Sequence, residues 1–418
     1  MSTDQQEHQQ QPLQSAEMLP NLLHLVLRSL VATQYLAPNT QAGPDTSLEP
    51  NQALLKLEAL TLSPITINSV LIGERKFLWD LFPTGNWAIT HNSHDEHKDN
   101  GDNSDHRDTS GEEASKFGRI PIWGISTVVS STLPGLTPGS KIYGQFPISS
   151  YSIRSWKFSD IDATVVIDTD RQRIPDLLNL SWVIANSTDV WTRDSQAIGI
   201  SAYPMYFVGY MLTTEYLAEG KAKGWTAVIT DAATLTSVAT AHQINKQGDV
   251  KRIVGLVEKE EDKEYVKRTG LYDVVYDYNE YRRTQWGEEK HLLIDFSDER
   301  QVLAELQRLL GDRAEMTIVG GSPSLCAARP CPADQGPVQL PRGFTELDTA
   351  VLYDARVKVV GYVDFFKWFD KSFENFVVNP PSGLKIVREK GWANVKSRYE
   401  RLIKGSAKAN EVVLVGLE

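Results

Sequence analysis

Between Trp225 and Glu260 the apolar positions fall into two short runs separated by a helical period. The first run, Thr226 to Thr230, stops at Asp231. Leu235, Val238, His242 and Asn245 then recur three or four residues apart, and Gly248 supplies a stop. The second run, Ile253 to Val257, ends in the acidic Glu258. Strand, turn, helix and strand in this order and length predict the opening βαβ unit of a dinucleotide-binding sheet. The alternation continues with a helix over 262–269, strands over 273–278 and 290–296, an amphipathic helix over 299–310 and a strand over 315–321. Strands spaced by helices in this way predict a parallel sheet.

Upstream the period changes. Leu22 to Tyr35 and Ala53 to Leu62 carry strand-like apolar spacing. Pro121-Ile122-Trp123-Gly124 leads into a strand over 125–130, and Lys141-Ile142-Tyr143-Gly144 follows turns at Pro134-Gly135 and Pro138-Gly139. Such glycines suit the corners of a small β-barrel, where φ must turn positive. Tyr203 to Leu217 reads as a helix with Tyr203, Phe207, Tyr210 and Thr214 on one stripe, more in keeping with core than with pocket. Phe365 to Val377 and Asn394 to Ile403 read as closing helices.

The division expected is therefore a disordered tail over 1–20, a barrel over 21–185, a Rossmann-like unit over 186–343, and a return to the barrel with closing helices over 344–418. The barrel carries an acidic insert over 89–115, in which His91, His94, His97 and His106 interleave with aspartates. A metal-binding tract is one reading. A solvated segment with too little apolar surface to order itself is the stronger one.

Composition narrows the field. The chain of 418 residues is long enough for two cores, and its net charge of −11 argues against a nucleic-acid or anionic-membrane surface. No apolar run approaches the roughly 20 residues that span a bilayer, and the glutamine-rich start lacks the pattern of a signal peptide. A cytoplasmic protein is expected. The two cysteines, Cys326 and Cys331, lie in a proline-rich loop without neighbouring histidines, so a loop disulfide or two idle thiols is favoured over zinc.

On these residues the chain resembles the medium-chain dehydrogenase/reductase superfamily, with its GroES-like β-barrel catalytic domain and doubly wound Rossmann domain. Pro121 to Ile148 is similar to the stretch PVWGFA-VV-S-HPG---GERVYGYFPM of an uncharacterised microbial branch. Gly73 to Pro83 is similar to that branch's GD---YW-FFP, and Trp392 to Leu417 resembles its closing segment. The resemblance covers roughly residues 50–87 and 117–418. It implies an α/β fold, a nicotinamide cofactor and an interdomain cleft. The superfamily often forms homodimers, while the oligomeric state stays open.

The implied chemistry is altered at several positions. The branch carries SSASSKT at the phosphate turn; here Asp231 stands for a serine and Leu235 for the lysine, while Thr234 and Thr236 keep hydroxyls beside Ala232 and Ala233. No glycine lets bare backbone approach a phosphate. Asp231 is expected to cap the following helix, contributing roughly 1 kcal/mol. It would also repel a phosphate about 5 Å away by about 3 kcal/mol at an effective dielectric of about 20. Glu258 is the candidate for the adenosine ribose, favouring NAD over NADP, unless it merely opens the solvated run that follows. Gly320 belongs to the glycine pair that ends the strand over 315–321, and the histidine usual after it is replaced by Ser322-Pro323.

On the catalytic face, a barrel without cysteine excludes a zinc alcohol dehydrogenase. The branch's NNITY, implied to face the nicotinamide, reads Ile65-Thr66-Ile67-Asn68-Ser69, leaving Asn68 and Ser69 as candidates. Tyr143 is a third candidate, as a proton donor at the barrel lip, with a packed aromatic as its plainer reading. His24, His242 and His291 lie outside the acidic insert without an evident nucleophile partner, and no GxSxG, HExxH or GxxxxGK[ST] motif is present.

Three readings compete. One is a zinc-independent NAD(P)H-dependent reductase of an enone, quinone or carbonyl in secondary metabolism. Another is a cofactor-independent isomerase or cyclase using the cleft as an apolar pocket for a natural-product intermediate. The third is a pseudo-oxidoreductase that only binds.

Overall fold

The computed structural model describes residues 21–71, 78–84, 116–170, 179–184, 192–217, 220–297, 300–318, 344–346 and 349–417. In chain order the first elements are β1 (Leu22–Leu27), β2 (Leu30–Pro38), β3 (Gln52–Thr61), α1 (Pro64–Leu71), β4 (Phe117–Gly118), β5 (Pro121–Ser131), β6 (Lys141–Pro147), β7 (Tyr151–Phe158), β8 (Val165–Asp168) and β9 (Leu180–Ile184). β1 pairs with β2 as a hairpin and with β4.

The pairings β3-β5-β6-β9-β8-β7, with β7 returning to β3, close a six-stranded antiparallel barrel. β3 closes it: its first half pairs with both β5 and β7, and irregularities at Leu54/Leu55 and Leu57/Ala59 bend it there. Leu55, Leu57, Val128, Ile142, Phe146, Trp156 and Val166 fill the inside. Gly135 and Gly139 both have positive φ, as the expected corners require. Gly144 differs from the expectation. It lies inside β6 opposite Gly124, because a Cβ there would fall 2.3 Å from the Ser181 hydroxyl.

The second half holds α2 (Asp194–Tyr216), β10 (Thr226–Ile229), α3 (Leu235–Gln247), β11 (Arg252–Val257), α4 (Glu260–Arg268), β12 (Val274–Asp277), β13 (His291–Asp295), α5 (Arg300–Leu310), β14 (Ala314–Ile318) and β15 (Phe344–Glu346). Six parallel strands run in the order β12-β11-β10-β13-β14-β15. This is the doubly wound order 3-2-1-4-5-6, with its reversal between β10 and β13. Both faces are covered, which is why the strands read as continuous apolar runs. Ala227 and Ile229 pack beneath α2 and α3, and Val228 and Leu293 pack against Val302, Leu303 and Leu306 of α5. The sixth strand lies beyond residue 343, so the sheet extends past the boundary read from the sequence.

The chain ends with α6 (Thr349–Val360), α7 (Tyr362–Val378), β16 (Lys385–Lys390), α8 (Trp392–Ile403) and β17 (Glu411–Gly416). β17 pairs with β3 and carries β16 on its other side, returning the chain to the barrel sheet. Buried Arg398 ties α8 to this edge, donating from Nη1 to Glu411 at 2.8 Å and from Nε to Glu389 at 3.2 Å. The aromatic stripe of α2 is core: Tyr203, Phe207 and Tyr210 each meet Phe369 of α7, at 5.0, 5.4 and 5.3 Å between ring centres. No helix among the described residues is long and apolar enough to cross a membrane.

Candidate functional site

β10 delivers the chain to the sheet's reversal point, where open parallel sheets of this kind bind ligands. The turn there has no glycine, yet Asp231 has φ of 47°, the left-handed backbone that glycine adopts freely and aspartate tolerates. Asp231 is not the helix cap. That role falls to Thr234, whose side chain accepts from the Ser237 N–H at 3.3 Å, while the Asp231 carbonyl accepts from the Thr234 N–H at 3.0 Å. The left-handed residue tightens the turn by a further three positions, which moves the cap downstream.

The turn is well satisfied internally. The Ala232 N–H donates to the Leu256 carbonyl at 2.9 Å, and the Ala232 carbonyl accepts from the Tyr272 hydroxyl at 3.1 Å. The Ala232 Cβ sits against Gly255, where a second Cβ would approach to 3.0 Å. The N–H groups of Leu235 and Thr236 open α3 and have no acceptor within the helix. α3 ends at Gly248 with φ of 69°, as expected. Of the predicted stripe, Val238 is buried and Leu235 and His242 are half-buried, while Asn245 is exposed. Ala241 and Ile244 complete the buried face, and Thr240 presses against Gly209 of α2, where a Cβ would stand 2.8 Å from the threonine hydroxyl.

Across the crevice, β13 contributes a buried polar knot that the sequence did not reveal. Asp295, 1% exposed, accepts on Oδ1 from Thr230 Oγ1 at 2.5 Å, from Ser297 Oγ at 2.7 Å and from the Ser297 N–H at 3.1 Å. Thr230 Oγ1 in turn accepts from the Phe296 N–H at 2.9 Å, and Ser237 Oγ donates to the Thr230 carbonyl at 3.3 Å. This network sews the ends of β10 and β13 together and places a second carboxylate beside Asp231. Its partners lie 65 residues apart, so no local pattern announces it. Glu258 follows β11 directly and is exposed, at the strand end where a ribose-binding acid belongs.

Tyr143 has a structural assignment. Pro204 lies inside α2 and has no N–H for the carbonyl of Ile200, four residues earlier. The Tyr143 hydroxyl donates to that carbonyl at 2.9 Å. Burial pushes the hydroxyl's pKa well up, and Trp123, Trp182 and Tyr203 surround the ring. The geometry ties the Tyr143 hydroxyl to α2. Asn68 and Ser69 lie in α1, and their side chains are outside the described residues. Gly320, the two cysteines and the histidine-bearing insert also lie outside them. Among the described residues, no group of His, Cys, Asp and Glu could hold a metal ion.

Comparison with known proteins follows the fold. The family model described as "Protein of unknown function (DUF2855)" matches residues 66–408, most of the chain, and the chain belongs to that family. No curated protein matches it in sequence. Among solved structures it is similar to CurA from Vibrio vulnificus in complex with NADPH, at 13% identity over 94% of this chain and 98% of that one, with a TM-score of 0.54. The mycobacterial protein Rv1454c complexed with NADPH gives 12% identity over 95% and 99% of the two chains, with a TM-score of 0.56. The CurK enoyl reductase gives 13% identity over 95% and 100%, with a TM-score of 0.50. These likenesses, with the closed barrel and the 3-2-1-4-5-6 sheet, show the medium-chain dehydrogenase/reductase fold.

Proposed function

We propose that this DUF2855 member is a zinc-independent reductase that uses a nicotinamide dinucleotide. The observation that carries the reading is the first βα turn. It keeps a left-handed residue at Asp231 and the open N–H groups of Leu235 and Thr236 at the sheet's reversal point, without glycine. Those two N–H groups and the Thr236 hydroxyl would hold the pyrophosphate, at the positive end of the α3 dipole. Glu258 would accept from the ribose hydroxyls. The residues fit the dinucleotide at a cost, since Asp231 and Asp295 place carboxylates at the ends of neighbouring strands and the Ala232 N–H is already engaged with the Leu256 carbonyl. When bound, the nicotinamide supplies a hydride for an activated C=C or C=O bond. Asn68 and Ser69 are the chain's candidates for orienting that bond. Tyr143 is not, because its hydroxyl is engaged with Ile200. The proposed substrate is an apolar enone, quinone or carbonyl compound of secondary metabolism.

The same charges favour a second reading, in which dinucleotide binding is lost and the cleft serves non-redox chemistry or binding alone. Titration of the purified protein with NADH and NADPH, followed by calorimetry, separates the two. Micromolar binding supports the reductase. Absence of binding at millimolar concentrations retires it in favour of the second reading.

A further inference from the structure

The barrel contains a cavity of about 300 Å³. Among the described residues its lining comes from the barrel half of the chain, with none from the parallel sheet. Two buried arginines face it, Arg119 at 9% and Arg154 at 7% exposure. Their surroundings differ. Arg154 is ion-paired through Nη2 with Asp168 and lies over the Phe82 ring at 4.9 Å. Arg119 donates from Nη1 to the Gln41 side chain at 3.0 Å, and its Nε has no partner. Among the described residues no carboxylate pairs with it; the charge nearest in effect is the like charge of Arg154. Burial first and Arg154 second pull its pKa down to about 10. The Arg154 Nε is likewise without a partner.

A buried guanidinium that lacks a counter-charge destabilises the fold unless something compensates it. With Nη1 held by Gln41 and Nε buried, Nη2 is the donor of Arg119 left to meet an anionic oxygen. Leu81, Phe82 and Ile153 give the cavity an apolar wall, while Ser152, Asp168 and Asp170 line its other side, both carboxylates acting on Arg154. We propose that this cavity binds a small organic carboxylate, with its charged end on Arg119 and its apolar body against Phe82 and Ile153. The site is independent of the nucleotide crevice and does not depend on the reductase reading.

The test is calorimetric titration of the full chain with sodium benzoate, against sodium phosphate and sodium chloride at matched ionic strength. Saturable benzoate binding, weaker by at least about tenfold in Arg119→Gln, is the expected result. The ligand-free Arg119→Gln protein should melt no lower than the wild type, since the variant removes an unpaired buried cation. No saturable benzoate binding to the wild type, or equal binding to both proteins, overturns the proposal. Binding of phosphate without benzoate overturns the carboxylate assignment. Should Arg119→Gln fail to fold, Arg119→Met removes the charge at similar length, and undiminished benzoate binding by it likewise overturns the proposal.

Discussion

Replacing Asp231 by asparagine tests the electrostatics of the phosphate turn without disturbing its backbone. Asp231 sits at φ of 47° at the end of β10, three residues before the Thr234 cap. Asparagine shares aspartate's tolerance of left-handed backbone and its size, so the substitution removes the charge and keeps the turn. A phosphate bound at the start of α3 would lie about 5 Å from the carboxylate. At an effective dielectric of about 20 the repulsion is about 3 kcal/mol. Relief of that term corresponds to about two decades in Kd. Asp231→Asn should therefore bind NADPH about a hundredfold more tightly than the wild type in a fluorescence titration, with part of the gain lost at high salt. Asp231→Gly adds the backbone contribution and separates it. Tighter binding by glycine but not asparagine would mean that strain, not charge, limits the turn. Unchanged affinity in both would refute the placement of a phosphate there. Asp231→Ser is a poorer test, because serine loses the charge but disfavours the left-handed conformation.

Two further perturbations address the barrel and its seams. His24 is buried, with Nε2 2.7 Å from the Gln34 side-chain oxygen, and burial lowers its pKa from 6.5 to about 4. Protonation thus favours the unfolded chain: the stability is fully present above pH 6.5 and declines as pH falls towards 4. Its share of the loss between pH 7.5 and 4.5 should be about 2.5 kcal/mol in urea denaturation, and should vanish in His24→Leu. Tyr143→Phe leaves the Ile200 carbonyl buried without a donor and should cost about 1–3 kcal/mol of stability, with cofactor affinity unchanged. The cost should shrink in a Pro204→Ala background, which restores an N–H at position 204; an equal cost in both backgrounds would break the link between Tyr143 and Pro204.

Periodicity carried the architecture because both halves bury continuous surface. Val228, Val254 and Leu293 sit in the interior of a sheet covered on both faces, and nothing but a buried strand accounts for such short apolar runs between helices. Gly135 and Gly139 were legible because a positive φ is a local demand. Gly144 was misread because its reason is a neighbouring strand's Ser181, not its own backbone. The cap was misplaced for a related reason. Asp231 and Thr234 are both good capping residues, and only the path of the chain, turned by the left-handed residue, decides between them. The Asp295 knot and the Arg119–Arg154 pair depend on sheet pairing and barrel closure. Residues 65 and 35 positions apart have no local signal of contact.

The charge distribution also separates the two halves in a way that composition could not. A chain of net charge −11 places carboxylates at Asp231, Glu258 and Asp295 on strand ends of the parallel sheet, and buries the guanidinium groups of Arg119 and Arg154 at the barrel cavity. Field strength depends on burial more than on net charge, because a buried ion is poorly screened. The reversal point between β10 and β13 is therefore biased against anions, while in the barrel cavity, lined also by Asp168 and Asp170, Arg119 has no carboxylate paired with it among the described residues. Asp231→Asn and Arg119→Gln act on these two places separately. A gain of dinucleotide affinity in the first with no change in benzoate binding, and a loss of benzoate binding in the second with no change in dinucleotide affinity, would make the protein a two-site molecule. Coupling between them would instead place both ligands in one continuous cleft, with the carboxylate as the end of the substrate that the crevice reduces.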